Sequence, residues 1–173
     1  MSASDEPEVH GQRWLAGDQL AAWRRFMRLI QTLPAVLESQ LQQDSKLSFI
    51  EYHVLAHLSE QPERRLRMSE LADLAGSELS RLSHLVTRLE KRGFVHREPD
   101  PLNGRYTQAV LTDAGHAHLA DTAPGHVERV LDVFIDVLDP DELRTLHRIS
   151  DKVLAHLDPD GTKSDTRTAD VAR

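Results

Sequence analysis

The stretch MSELADLAGSELSRLSHLVTRLEKRGFVHRE, residues 68–98, decides how the rest of the chain is read. Leu71, Ala72 and Leu74 fall on one side of a short helix that Ser69 opens as N-cap and Gly76 closes. Ser77 can then cap a second helix, whose apolar positions Leu79, Leu82, Leu85, Val86 and Leu89 keep helical spacing as far as Gly93. Two short helices joined by a tight glycine-containing turn make a helix-turn-helix. The opposite face of the second helix carries Glu78, Ser80, Arg81, Ser83, His84 and Arg88. A helix of this size fits the major groove of DNA, about 12 Å wide, and its N-terminal half reaches base edges. Ser80, Arg81 and His84 are therefore expected to read bases. Arg88, set deeper, is expected to contact phosphate or form an internal ion pair.

Working outward, FVHRE (94–98) and YTQAVL (106–111) are extended runs flanking PDPLNGR (99–105), in which Asn103-Gly104 is a favoured hairpin-turn pair. This predicts a β-hairpin whose Arg105, just past the turn, enters a narrow minor groove or grips phosphate. His96 and Arg97 on its first strand would add phosphate contacts. Thr112 then starts a long helix running to Leu138, with Pro124-Gly125 predicting a kink, and Asp139-Pro140-Asp141-Glu142 starts a final helix faced by Leu143, Leu146, Ile149, Val153 and Leu157. On the other side, Ser48 and Glu51 form a capping box that opens a helix through Leu58, followed by a polar bend, PERR (62–65). Before it, Leu20, Trp23, Met27, Ile30, Pro34, Leu37 and Leu41 line a helix face that Ala22, Phe26, Leu29, Leu33 and Val36 widen. So broad an apolar face needs cover on more than one side, and a partner chain would supply it.

The composition agrees with this outline and excludes several alternatives. The 173 residues include 28 Asp plus Glu, 21 Lys plus Arg, ten His and no Cys, a formal net charge of -7. The size is that of one ordinary domain. Without cysteine there is no disulfide scaffold, thiol catalysis, Fe–S cluster or Cys-ligated zinc. No apolar run approaches the ~20 residues needed to cross a bilayer, and Met1–Gln12, with three acidic residues, lacks the basic and then apolar start of a signal peptide. A membrane is not expected as a partner, and the cytoplasm is the default compartment. Acidic overall, the chain is nonetheless asymmetric: residues 62–105 hold nine Lys/Arg against seven Asp/Glu. Most of the basic residues are arginine, which suits bidentate contacts to phosphate and guanine. Residues 1–12 and 158–173 are polar and aperiodic and read as disordered tails around an ordered domain at 13–157.

The segments MSELADLAG, LSRLSHLVTRLEKRGFVHRE and DPLNGRYTQAVLTDAG resemble the MarR family of bacterial transcription regulators, and the resemblance covers about residues 14–157. It implies a mainly α fold with a small β-hairpin wing. The winged helix-turn-helix would occupy about 48–112, flanked by dimerisation helices at about 14–43 and 113–157. It also implies Asp100 as an acidic partner fixing Arg105, with Gly104 supporting the wing. Asn103 stands where the family often has Asp, and Glu78-Leu79 replace a frequent Ser-Pro, departures that bear on base preference. The implied function is a homodimeric, ligand-responsive regulator, a repressor, on double-stranded DNA with a near-palindromic operator. An effector crevice between the dimer helices and the winged unit would here be lined by Trp14, Trp23, Arg25, Phe26 and His53, a mixture suited to a small aromatic or anionic effector.

The alternatives are a zinc-responsive regulator of the same fold, since some family members sense zinc through His and acidic residues, and a winged-helix interaction module without DNA binding. His53 and His57 lie four apart on one helix face, but HVLAH lacks the Glu of the zinc-protease motif. No metal site and no cofactor are assigned. No nucleophile-elbow or phosphate-loop pattern is present, so an enzyme is not expected.

Overall fold

The computed structural model describes residues 13–158, so the expected tails fall outside the described residues, save Asp158 at the end of the last helix. The chain divides into two compact units, one ending at Val36 and the other starting at Leu37. Helix α1 (Gly17–Asp44) begins in the first and contributes its last two turns to the second. In the first unit the helix exposes Trp23, Phe26, Leu29 and Ile30, and the Trp23 and Phe26 rings lie 6.2 Å apart.

In the second unit α2 (Phe49–Ser59) starts as the sequence predicts: Glu51 N–H donates to Ser48 Oγ and Ser48 N–H to Glu51 Oε2. Helices α3 (Met68–Leu74) and α4 (Leu79–Lys91) form the helix-turn-helix. Both end on a left-handed glycine, Gly76 at φ 57° and Gly93 at φ 76°. In each case the next N–H reaches back five residues, Ser77 to the Ala72 carbonyl and Phe94 to Leu89, so the terminal carbonyls keep their partners. The starts of the two helices differ from expectation. The α3 N-cap is Arg67, whose N–H is held by Glu70 Oε2, and not Ser69. Likewise α4 is capped at Glu78, while the Ser77 hydroxyl donates to the Glu78 carbonyl instead of to the helix.

The sheet has three strands where a two-stranded hairpin is predicted. Strand β1 (Arg65–Arg67) pairs antiparallel with β3 (Thr107–Leu111), which also pairs with β2 (Val95–Pro99), giving the order β1-β3-β2. Residues read as a polar bend thus become a turn at Pro62–Arg64 followed by an edge strand. Three residues are too short a run for alternation to register. The connection from β2 to β3 is not an Asn-Gly two-residue turn. Gly104 is not among the left-handed glycines. Asp100 N–H instead donates to the Tyr106 carbonyl and Tyr106 N–H to Asn103, closing a longer loop.

Thr112 caps α5 (Asp113–Val130) through the Gly115 N–H. The helix passes Pro124 without breaking, and the irregularity falls later, at Leu131–Ile135, where a wide turn carries Asp136 N–H to the Leu131 carbonyl. Helix α6 (Pro140–Leu157), capped by Asp139, buries none of its residues. The core lies under the winged unit, where Leu41, Leu47, Leu55, Leu58, Leu71, Leu82, Leu89, Val54, Val86 and Val95 are sealed from solvent.

Candidate nucleic-acid interface

Helix α4 buries Leu82, Leu85, Val86 and Leu89, which leaves its other side to solvent. Leu79, expected on the buried face, is 51% exposed, because the first turn of α4 projects beyond the core. Ser80, Arg81, His84 and Arg88 are all exposed. Lys91 continues the same row at helical spacing and is exposed too, a residue the sequence reading passed over although its spacing from Arg88 was visible.

The arginines sort by their partners. Arg64 pairs with Asp113, Arg65 with Glu63 and Glu98, and Arg67 with Asp100. Arg88 Nε donates to Glu51 Oε1 at 3.2 Å, so of its two expected roles the internal ion pair is present. Arg92 donates to the Ser45 and Lys46 carbonyls and lies over the Phe94 ring at 4.7 Å. It also comes within 3.9 Å of Glu51. Of the nine basic residues between 62 and 105, only Arg81, Lys91 and Arg105 form no carboxylate pair among the described residues. Uncompensated charge is what attracts phosphate, so these three, with His84 between the two on α4, are the candidates for contact with a nucleic acid.

Two sequence expectations need correction. Arg97 does not point its charge outward: Nε and Nη2 donate to Glu90 Oε2 at 3.0 and 2.5 Å, and Nη2 also donates to Thr87 Oγ1 at 2.8 Å. The pair holds the Glu90 carboxyl below its ordinary range, chiefly through the Arg97 hydrogen bond. Asp100, for its part, fixes Arg67 rather than Arg105. It is 2% exposed, accepts from Arg67 Nε at 2.5 Å, and takes the Leu102 and Asn103 N–H groups on its other oxygen. These bonds, the Arg67 one first, depress its pKa. Arg67 also covers the Tyr106 ring at 4.9 Å. The wing loop is therefore anchored to β1 at its base, and Arg105 stands on it exposed, its N–H held by Asn103 Oδ1.

The residues assigned to an effector crevice divide between the units. Trp14, Trp23, Arg25 and Phe26 belong to the first and are exposed. His53 belongs to the second, where its Nδ1 bonds the Phe49 carbonyl at 2.8 Å and its ring sits 6.3 Å from both His57 and His126. Burial, and then the neighbouring His53, lower the pKa of His57 and His126 alike. Burial raises that of Tyr52, whose ring lies 4.3 Å from His126. Among the described residues no three His, Asp or Glu side chains gather as a metal-holding group, and no helix is long and apolar enough to cross a membrane.

Known proteins share this architecture. The MarR family model matches residues 45–105, from before α2 to the wing loop and short of β3. The chain is 41% identical to Sco3205, a MarR family transcriptional regulator from Streptomyces coelicolor solved in complex with DNA. The match has a TM-score of 0.83 and covers 87% of this chain and 94% of that one. AbsC, a MarR family regulator from the same organism, is 36% identical at a TM-score of 0.81, covering 86% of this chain and 99% of that one. The transcriptional repressor MprA of Escherichia coli is 28% identical over 107 residues, 62% of this chain and 60% of MprA. The chain spans between 39% and 60% of the length of the curated relatives it matches. With the helix-turn-helix, the anchored wing and near-complete correspondence to two solved members, the chain belongs to the MarR family of transcriptional regulators.

Proposed function

We propose that this regulator is a homodimeric repressor that lays one α4 helix in the major groove of each half of a near-palindromic operator. Arg81, with Ser80 and His84, reads bases, Arg105 on the wing engages the minor groove or backbone, and Lys91 meets phosphate. The observation that carries this reading is the charge inventory. Internal pairing leaves Arg81, Lys91 and Arg105 uncompensated, two on the exposed row of α4 and one on the wing. The DNA complex of Sco3205 supports the partner, and the repressor MprA supports the sign of regulation. Dimerisation is supported by α6, which buries nothing of its own and exposes Ile149, Val153, Leu154 and Leu157. A two-fold dimer requires half-sites about one turn, ~10 bp, apart.

Release by a small aromatic or anionic effector completes the proposal. It is supported by Trp14, Trp23 and Phe26, exposed in the first unit together with Arg25, which offer ring faces and a guanidinium. Such a ligand relieves repression only by binding better to a form that fits the operator less well. Selection of bound fragments from random duplex DNA tests the central claim. Inverted repeats with the stated spacing are expected, and recovery of no common sequence would refute it.

A further inference from the structure

We propose that Arg97 is a positioning residue for DNA reading, one that locks the recognition helix to the wing so that both meet the duplex as a single rigid piece. This rests on the DNA-binding role proposed above. The guanidinium spans α4 lengthwise. Nη1 donates to Ser83 Oγ at 3.3 Å, Nη2 to Thr87 Oγ1 at 2.8 Å, and Nη2 and Nε both reach Glu90 Oε2. Ser83, Thr87 and Glu90 are four and three residues apart, one stripe over two helical turns. The second Glu90 oxygen accepts the Arg97 backbone N–H at 2.9 Å, so the carboxylate grips main chain and side chain of β2 together. Thr87 in turn donates to the Ser83 carbonyl, which fixes the orientation of its own hydroxyl.

Two consequences follow from the chemistry. A planar guanidinium can serve three acceptors in a row, and an ammonium cannot, so lysine is a poor substitute. With every nitrogen engaged and its charge matched by Glu90, Arg97 would have to abandon α4 to touch phosphate. The Ser83–Glu90 stripe flanks the Arg81–His84 row on the same helix, and β2 leads directly into the loop carrying Arg105. A change in how α4 leans on β2 therefore alters the distance between base-reading and wing contacts, with no contact residue touched.

The test measures affinity of the full chain for its selected operator and for random duplex, across a salt series, with melting followed by circular dichroism. Arg97→Ala and Glu90→Gln should each weaken operator binding by roughly tenfold, the double variant should be little worse than either, and Arg97→Lys should not rescue. The log-log salt slope should stay at the wild-type value, because no phosphate contact is lost. A slope reduced by about one unit per protomer in Arg97→Ala, with Glu90→Gln unaffected, would make Arg97 a phosphate contact and overturn the proposal. So would unchanged affinity in folded variants. If Arg97→Ala fails to fold, the near-isosteric Thr87→Val and Glu90→Gln carry the same comparison. Wild-type protein that binds no duplex would remove the DNA-binding role itself, before any variant is compared.

Discussion

Arg81 and Arg105 are both exposed and unpaired, yet they should behave differently. Arg81→Ala should cost about 1–3 kcal/mol on the operator and far less on random DNA, because a contact to one base is lost. Arg105→Ala should weaken both nearly alike and flatten the salt dependence by about one unit per lost contact. Anisotropy titrations on the two duplexes distinguish the cases, and equal losses for both variants would show the α4 register to be wrong. Glycines offer a second comparison. A Cβ on Gly115 would lie 2.1 Å from the Phe94 carbonyl oxygen, which already accepts the Thr112 N–H. Backbone cannot retreat as a side chain can, so Gly115→Ala should destabilise by about 1–3 kcal/mol in urea unfolding. Gly104 meets nothing within 4 Å and has no left-handed φ, so Gly104→Ala should leave stability unchanged.

At the scale of elements, α2 and α5 are joined by rings: Phe49, Tyr52 and His53 on one, His126 on the other. His126 is buried, facing Tyr52 and the Gln40 side-chain oxygen. Both His126 and His57 are held below the ordinary value of 6.5. The unfolded chain therefore takes up protons that the folded chain refuses. Their contribution to stability is complete above pH 6.5 and declines as the pH falls below it. Melting temperature should drop between pH 7.5 and 5.5, and His126→Phe should flatten that drop. A variant as pH-sensitive as the wild type would show that the ring cluster is not its source. Asp100 and Glu90 have the same sign in a lower window. Their pKa values lie beneath the ordinary 3.8 and 4.5, so their contribution persists until the pH falls through those depressed values.

For the whole molecule, a net charge of -7 is compatible with the proposed binding of DNA through few contacts. Between residues 62 and 105 the three cations without a carboxylate pair bound the phosphate contacts of the two winged units of a dimer at six, so a log-log salt slope set by these units should be no steeper than about -5. A slope near -8 in titrations between 50 and 200 mM salt would mean that paired arginines open toward DNA or that cations outside residues 62–105 join the interface. The apolar residues exposed on α6 predict a dimer of about 39 kDa, twice the 19.6 kDa chain. The double variant Leu146→Asp, Val153→Asp should be monomeric or aggregated by light scattering, and an intact dimer would place the interface elsewhere.

Local chemistry made much of this legible from residue order alone. The Ser48–Glu51 box, the Thr112 and Asp139 caps and the glycines closing α3 and α4 lie within a few positions of the groups they satisfy. The buried row from Leu82 to Leu89 follows from helical period. With the resemblance of the 68–115 segments, that determined the winged fold and which face of α4 stays exposed. What order could not determine is which charge answers which. Arg67 finds Asp100 across 33 positions and Arg88 finds Glu51 across 37. Strand β1 exists because β3 pairs with it. Arg97 is expected among the phosphate contacts from its place on the first wing strand, and only the packing of β2 against α4 brings it to Glu90. Periodicity records which face a side chain takes, whereas its partner on that face depends on how separate elements meet, and that is set by the tertiary structure.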